Sequence, residues 1–215
     1  MRPRAILFDC DGVLVDSEPA TLDLLADDLA SHGLSLPRAE MERLFIGGTI
    51  AGVHVKARSL GAALPDGWVS EFYDRLYARL AEGTPLVPGV LDLLDALDAA
   101  GIPYAVGSNG SDRKMQVTLG QHPGLLDRFQ DRLFSGQTLG APKPAPDLYL
   151  LAARALGHPP ASCVVIEDSP TGARAAAAAG IPCFGYAAHE DGAALAAEGA
   201  TVFHAMAELA LLLRL

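Results

Sequence analysis

Near its start, the chain carries a short apolar run that ends in acidic residues: Arg4-Ala5-Ile6-Leu7-Phe8-Asp9-Cys10-Asp11-Gly12. Apolar runs of this length are typical of strands that are buried on both faces of a parallel sheet. Similar runs recur later in the chain, at Tyr104–Gly107, Arg132–Phe134, Cys163–Ile166 and Pro182–Tyr186. Stretches with helical periodicity separate them, so the pattern predicts an α/β fold with a Rossmann-like, doubly wound parallel sheet.

The interval between the first and second predicted strands is far longer than a crossover helix needs. Within it, apolar residues repeat at helical spacing before Gly33 and again between Val69 and Leu80. We therefore predict an α/β core domain over residues 1–16 and 86–215, with a small helical cap domain inserted over residues 17–85.

Composition and charge exclude several classes of protein. Half of the 215 residues are hydrophobic, so the chain folds rather than remaining disordered. Its 16 Lys and Arg against 26 Asp and Glu give a formal net charge of −10, which would repel nucleic acid. An anionic small substrate would need a locally cationic pocket or a bound metal.

Nothing in the sequence predicts contact with a membrane. The apolar runs are far shorter than the roughly 20 residues that a bilayer requires, and the first residues lack the features of a secretory signal. The three cysteines are odd in number and scattered, which favours a reducing compartment over a disulfide framework. We expect a cytoplasmic protein that is a monomer or a weak homo-oligomer.

Two carboxylates stand at the end of the first predicted strand. Asp9 and Asp11 lean to the same side because side chains alternate along a strand, and paired carboxylates of this kind favour Mg²⁺. The alternative is a strand end capped by solvated acids. A second apolar strand ends in Glu167-Asp168, so four acids would meet at one edge if the two strands are neighbours. Otherwise the two ends are unrelated solvated turns.

Two further segments offer groups for an anion. Ser108 and Asn109 end another predicted strand with a hydroxyl and an amide that can hydrogen-bond phosphate oxygens. Lys143 lies between Pro142 and Pro144, where the stiff loop reduces the entropy lost when an ammonium binds a ligand. Taken alone, the first segment is an ordinary turn and the second an ordinary solvated lysine.

Together, these segments resemble in order the four motifs of the haloacid dehalogenase superfamily. The matching pieces are Asp9-x-Asp11-Gly-Val-Leu-Val-Asp16-Ser-Glu18, Ser108-Asn109, Lys143-Pro-x-Pro and Glu167-Asp168-Ser-Pro. The resemblance covers the whole chain and is to the branch with a small helical cap, which includes sugar-phosphate phosphatases and β-phosphoglucomutase. Parts of the sequence also resemble 6-phosphogluconate phosphatases.

The resemblance implies a role for each motif. Asp9 is expected to be the nucleophile that forms an aspartyl phosphate, and Asp11 the general acid and base. Mg²⁺ is expected to be held by the Asp9 carboxylate, the Asp11 backbone carbonyl and Asp168, with Glu167 as a direct or outer ligand. The phosphoryl oxygens are expected to contact Ser108, Lys143 and Asn109.

The cap offers a candidate segment for the rest of the substrate. No acidic residue lies between Glu42 and Asp66, whereas basic residues and the pair Gly47-Gly48 do. We interpret Phe45–Arg58 as a segment that faces the active site and binds the non-reacting end of a small phosphate ester. The residues assigned to this contact are Gly48, Thr49, His54 and Lys56. The alternative is a helix whose basic residues face solvent or pair with the core.

Phosphatases and phosphomutases of this family share the same core. The resembling mutases carry a hinge histidine where this sequence has Thr21, and a cap arginine for the second phosphate where it has Ile50. Both departures favour hydrolysis of a sugar phosphate or a phosphosugar acid, with a mutase of the β-phosphoglucomutase type as the alternative. A non-enzymatic receiver module, which also accepts a phosphoryl group on an aspartate, is a further hypothesis.

Overall fold

The computed structural model of the chain describes residues 2–46, 48–188 and 190–215. Gly47, one of the glycines in the cap segment, lies outside these described residues. The strands of the described part are β1 (Ala5–Phe8), β2 (Tyr104–Ser108), β3 (Leu133–Ser135), β4 (Cys163–Glu167), β5 (Cys183–Tyr186) and β6 (Thr201–Phe203).

Helices fill most of the remaining described chain. Four lie between β1 and β2 in the predicted cap: α1 (Glu18–Ser31), α2 (Arg38–Phe45), α3 (Ile50–Ser59) and α4 (Trp68–Ala81). The others surround the sheet: α5 (Val90–Ala99), α6 (Asp112–Leu119), α7 (Leu125–Arg128), α8 (Gly136–Leu139), α9 (Asp147–Ala155), α10 (Pro170–Ala178), α11 (Ala193–Ala197) and α12 (Met206–Leu213).

The strands form one parallel sheet in the order β3-β2-β1-β4-β5-β6, counted over the described residues. Strand β1 lies between β2 and β4, with Phe8 opposite Val106 on one side and Ile166 on the other. The chain thus reverses its direction of winding at β1, and such switch points are where α/β sheets bind ligands. The predicted α/β, Rossmann-like fold is confirmed.

Two apolar clusters cover the faces of the sheet. Residues of β1 alternate between them, with Ile6 and Phe8 in the cluster under α5 and α12 and Leu7 in the cluster under α9 and α10. All four residues of β1 are inaccessible to solvent, because β1 is central and helices cover both faces. Strand β6 was not anticipated from the sequence, since it is only three residues long and Thr201 is exposed.

Helices α1 to α4 enclose a separate apolar cluster. Its centre is the stack of Trp68 on Phe72, whose ring centroids are 4.8 Å apart. The two chain segments that join these helices to the sheet run side by side, and the Asp16 amide donates to the Pro85 carbonyl at 2.8 Å. Division of the chain into core and cap at residues 16 and 86 stays a prediction. Among the described residues, no helix has the length and hydropathy to span a bilayer.

Candidate active site

The carboxyl ends of the three central strands carry the polar residues predicted from the sequence. Asp9 follows β1 directly, Glu167 is the last residue of β4, and Ser108 is the last residue of β2. The Asp9 amide donates to the Ile166 carbonyl at 2.9 Å, which continues the pairing of β1 with β4 past the end of β1. Because these strands are neighbours, the two acidic motifs lie together at one edge of the sheet.

Lys143 reaches this edge from the loop before α9. Its Nζ lies 2.5 Å from Asp9 Oδ1 and 2.6 Å from Glu167 Oε1, and the residue is only 6% exposed. The Asn109 side chain holds the loop in place, since its Oδ1 accepts from the Lys143 amide at 2.8 Å and its Nδ2 donates to the Lys143 carbonyl at 3.2 Å. Asn109 thus positions Lys143, a use of its amide that the sequence did not indicate.

Glu167 is fully buried, and hydrogen bonds reach both of its carboxylate oxygens. Oε1 accepts from Lys143 and from the Tyr149 hydroxyl at 2.8 Å. Oε2 accepts from the backbone amides of Asp168 and Ser169 and from the Ser169 hydroxyl, all within 3.1 Å. A Cβ on Gly172 would lie 1.7 Å from Oε1, so only glycine leaves room for this carboxylate.

The site has the donor set of a hard divalent cation. Oxygens of Asp9, Glu167 and Asp168 lie within 4.8 Å of one another. No side chain or amide of the described residues donates a hydrogen bond to the Asp168 carboxylate. Glu167 is already satisfied by five donors, so Asp9 and Asp168 fit direct ligands and Glu167 fits an outer position. A cluster of three carboxylates, of which Asp168 accepts no hydrogen bond from the described residues, suits a metal ion.

The pKa values of Asp9, Asp168 and Lys143 are all raised in this cluster, which is buried and contains more carboxylates than cations. Burial raises the pKa of Asp9 to about 7, although Lys143 opposes the shift. Burial and the nearby Glu167 and Asp9 raise the pKa of Asp168 well above its ordinary value. For Lys143, burial disfavours the ammonium, but Asp9 and Glu167 outweigh that effect and raise its pKa. One ammonium does not neutralise three carboxylates, and this is a further reason why the cluster favours a cation.

Asp11 turns away from that cluster. Its Oδ1 accepts from the Ser17 hydroxyl at 2.5 Å and lies 2.9 Å from Lys114 Nζ. Although burial opposes ionisation, Lys114 and Ser17 lower the pKa of Asp11. The Asp11 side chain is absent from the carboxylate group that could hold a metal within the described chain. Its predicted metal contact is therefore restricted to the backbone carbonyl.

Ser108 is 2% exposed, and its Oγ accepts from the Gly110 amide at 2.9 Å. A pocket opens above these residues and is roofed by α1 to α4. The core side of its lining includes Asp9, Asp11, Ser108, Asn109, Gly110, Lys114, Gln137, Lys143, Asp168 and Ser169. The roof includes Glu18, Thr21, Leu22, Phe45, Gly48, Thr49, Ile50, Val53, Tyr73 and Leu76. The structure thus places Gly48 and Thr49 in the lining of the pocket, and their contact with substrate stays a prediction.

His54 and Lys56 are not brought to this pocket. His54 stacks on Trp68 with ring centroids 5.9 Å apart, and its Nε2 lies 3.3 Å from the Pro65 carbonyl. Lys56 is exposed on the same helix. Only one face of a helix can line the site, and in α3 that face carries Ile50 and Val53. The structure therefore does not place His54 and Lys56 in the pocket lining, and their predicted contact with substrate stays a prediction without support from this geometry.

Several lining residues escaped sequence reasoning. The sequence predicts no role for Lys114, Tyr73 or Gln137, which line the pocket, or for Tyr149, which is buried against Glu167. Gln137 Nε2 donates to the Tyr73 hydroxyl at 2.9 Å and to the Asn109 carbonyl at 3.1 Å, which links the roof to the core. A helical spacing signal could have placed Lys114 on the turn of α6 nearest the strand end, but not its contact with Asp11.

Comparisons with known proteins agree with this geometry. The family model of the haloacid dehalogenase-like hydrolases matches residues 3–180. Hexitol phosphatase A of Escherichia coli is 35% identical over 84% of this chain and 81% of its own length. Phosphoglycolate phosphatase of Xylella fastidiosa is 34% identical, with 88% and 84% covered. The 6-phosphogluconate phosphatase of Escherichia coli is 32% identical, with 87% and 84% covered.

Solved structures show the same likeness. A haloacid dehalogenase family hydrolase from Deinococcus radiodurans, crystallised with bound phosphate and sodium, superposes with a TM-score of 0.81. It is 35% identical, and the match covers 99% of this chain and 96% of that one. The motifs, the parallel sheet and the relatives all lead to one assignment. The chain belongs to the haloacid dehalogenase-like hydrolase family of enzymes.

Proposed function

We propose that the chain is a Mg²⁺-dependent phosphatase that hydrolyses a small phosphorylated metabolite through an aspartyl-phosphate intermediate on Asp9. The observation that carries this proposal is the contact of Lys143 with both Asp9 and Glu167, beside the free carboxylate of Asp168. The relatives are named as phosphatases of hexitol phosphates, phosphoglycolate and 6-phosphogluconate. Their shared chemistry supports a sugar phosphate or phosphosugar acid as the substrate.

Asp9 and Asp168 would hold the metal with the Asp11 carbonyl, and Glu167 would orient the neighbouring groups from an outer position. When bound, Mg²⁺ supplies charge neutralisation for the phosphoryl oxygens. Lys143 and Ser108 add an ammonium and a hydroxyl on the same side. Without these cations, the carboxylate of Asp9 would repel the dianionic ester.

The reaction follows from two positioned carboxylates. An Asp9 oxygen forms a bond to phosphorus as the ester P–O bond breaks. Asp11 enters this step protonated, although Lys114 and Ser17 lower its pKa, and gives its proton to the departing alkoxide. Asp11 then takes a proton from water, whose oxygen bonds to phosphorus and releases Asp9 and inorganic phosphate. These two steps replace one difficult displacement at phosphorus by two easier ones.

The pocket roof favours transfer to water over transfer to a second sugar. Thr21 and Ile50 both line the pocket, and the Thr21 hydroxyl already donates to the Ser17 carbonyl at 2.8 Å. Neither residue offers a cation for the second phosphate of a bisphosphate intermediate. Among the described lining residues, the roof contributes no lysine, arginine or histidine. A phosphomutase of the β-phosphoglucomutase type therefore stays the weaker alternative.

Steady-state hydrolysis tests the proposal. With Mg²⁺, the protein should release many equivalents of phosphate from p-nitrophenyl phosphate or from a panel of sugar and sugar-acid phosphates. The control variant is Arg174→Met, which removes an exposed cation that pairs with Glu198 and does not line the pocket, and it should hydrolyse the same esters as the wild type. Labelling that stops at one phosphoryl group per chain would instead favour a receiver module. Interconversion of sugar phosphate isomers without phosphate release would favour a mutase.

A further inference from the structure

Lys114 is a second cation in the pocket that the proposed chemistry does not use. It lies near the start of α6, and its side chain is 14% exposed and lines the same pocket as Lys143. Its stem packs on the loop after β2, where a Cβ added to Gly110 would lie 3.3 Å from Lys114 Cδ. Gly110 thus leaves room for the lysine to reach the pocket.

The two lysines differ in their partners. Lys143 Nζ contacts two carboxylates of the metal cluster, whereas Lys114 Nζ has one carboxylate within ion-pair distance among the described residues, that of Asp11. An ammonium carries three N–H donors, so Lys114 retains donors for a further acceptor. Its location beside Asp11, which is proposed to protonate the departing oxygen, places it near the alcohol part of the substrate.

The rest of the lining limits what this acceptor can be. The described roof residues are apolar, hydroxylic or acidic, so a second anionic group on the substrate has Lys114 as its available cation. One ammonium matches the single charge of a carboxylate, and a second phosphate dianion would be left partly unpaired in a roof of Leu22, Phe45 and Val53.

We propose that Lys114 binds a carboxylate on the non-reacting part of the substrate, so that phosphorylated hydroxy acids are the preferred substrate class. This inference rests on the proposed function, because it concerns the alcohol part of the ester cleaved at Asp9. It makes Lys114 a specificity-determining residue. It also replaces the sequence-based expectation that cationic residues of the cap would recognise this end of the substrate.

The test compares esters that differ only in the carboxylate. One pair is 6-phosphogluconate and sorbitol 6-phosphate, and the other is 2-phosphoglycolate and 2-hydroxyethyl phosphate. In at least one pair, the wild-type kcat/KM should favour the acid by about 10- to 100-fold, the range of a charge-assisted hydrogen bond. Lys114→Met should abolish that preference, and Lys114→Arg should restore part of it.

A matched control separates this role from a general effect of charge. Arg113 precedes Lys114 on α6, is exposed, and pairs with Asp74 rather than with a pocket residue. Arg113→Met should leave the acid preference unchanged. If Lys114 acts only by holding Asp11, Lys114→Met will lower kcat/KM for both members of each pair equally. Such an equal loss, or the absence of any acid preference in the wild type, would overturn the proposal.

Binding measurements keep this inference separate from the catalytic proposal. In Mg²⁺-loaded Asp9→Asn protein, calorimetric titration should show tighter binding of the acid than of its neutral partner. Adding Lys114→Met should remove that difference while circular dichroism confirms an intact fold. Preference in binding without turnover in the wild type would contradict the phosphatase function alone. Turnover with equal binding of both partners would contradict the role of Lys114 alone.

Discussion

Lys143 is the residue that connects the two acidic motifs. It is buried between Asp9 and Glu167, and removal of one member of a buried ion pair is costly because it leaves unpaired charge in the interior. The sequence predicted a positioned ammonium from the flanking prolines, but not which acids it would meet. That pairing depends on the adjacency of β1 and β4, which lie far apart in the chain.

Lys143→Met tests the strength of this network. In chelator, the variant should lose about 3–5 kcal/mol of the free energy of unfolding and should show no turnover when Mg²⁺ is restored. Arg174→Met breaks an exposed ion pair with Glu198 and should cost less than about 1 kcal/mol. Urea denaturation followed by circular dichroism measures both. Equal losses for the two variants would contradict a buried network at Lys143.

Gly172→Ala probes the space around Glu167. The added Cβ would meet Glu167 Oε1 at 1.7 Å, so the carboxylate or α10 must shift, at a cost of about 1–3 kcal/mol in unfolding free energy. Gly67→Ala is the matched control, since its Cβ would have an ordinary 3.5 Å contact with Glu71. Denaturant titrations should show a loss only for Gly172→Ala. Unchanged stability in that variant would mean that Glu167 does not occupy this space.

At the scale of elements, the positions of the central strands could be predicted from the sequence, whereas the contacts between helices and strands could not. Uninterrupted apolar runs identify β1 and β4 because both faces of these strands are buried, and the acids that follow them mark the strand ends. Strand β6 has no such run, so it gave no signal. The pairing of Lys114 with Asp11 was equally inaccessible, since it depends on how α6 packs rather than on spacing along the chain.

The cap helices owe their arrangement to their own apolar cluster, in which Phe72 is fully buried against Trp68. Phe72→Ala should therefore destabilise the protein by about 3–5 kcal/mol, because it removes a large side chain from a packed interior. Val55→Ala truncates a residue of α3 that is 70% exposed and should change stability by less than about 0.5 kcal/mol. Thermal denaturation measures both variants, and equal melting temperatures for the two would contradict this packing.

At the scale of the whole molecule, the net charge is −10, and the described lining of the pocket also has more carboxylates than cations, with Lys114 and Lys143 as its two lysines. The sequence indicated that an anionic substrate needs a metal or a local cation, which stays a prediction, and its motifs lie at the carboxyl ends of neighbouring strands. It assigned the non-reacting end of the substrate to a cap segment that includes His54 and Lys56, because their charge is visible in the sequence and the helix face that carries them is not. In the structure, Arg58 pairs with Asp66, and Lys56 is exposed.

Metal binding should stabilise the whole fold. Mg²⁺ at about 100 times its Kd should raise the free energy of unfolding by about 2.7 kcal/mol, and chelator should abolish both this gain and turnover. Asp168→Asn should lose the Mg²⁺-dependent gain because it removes the carboxylate free to bind the ion. Asp127→Asn, an exposed acid on α7, should retain it. Calorimetric melting that shows equal gains in both variants would place the metal elsewhere.

The central claim is that Asp9 carries the phosphoryl group between the two half-reactions. The direct measurement is mass spectrometry of protein quenched in acid during turnover of a phosphate monoester with Mg²⁺, followed by mapping of the modified peptide. We predict one phosphoryl group on Asp9 in the wild type and none in Asp9→Asn, which should also be inactive. A phosphoryl group on another residue, or continued hydrolysis by Asp9→Asn, would contradict the account.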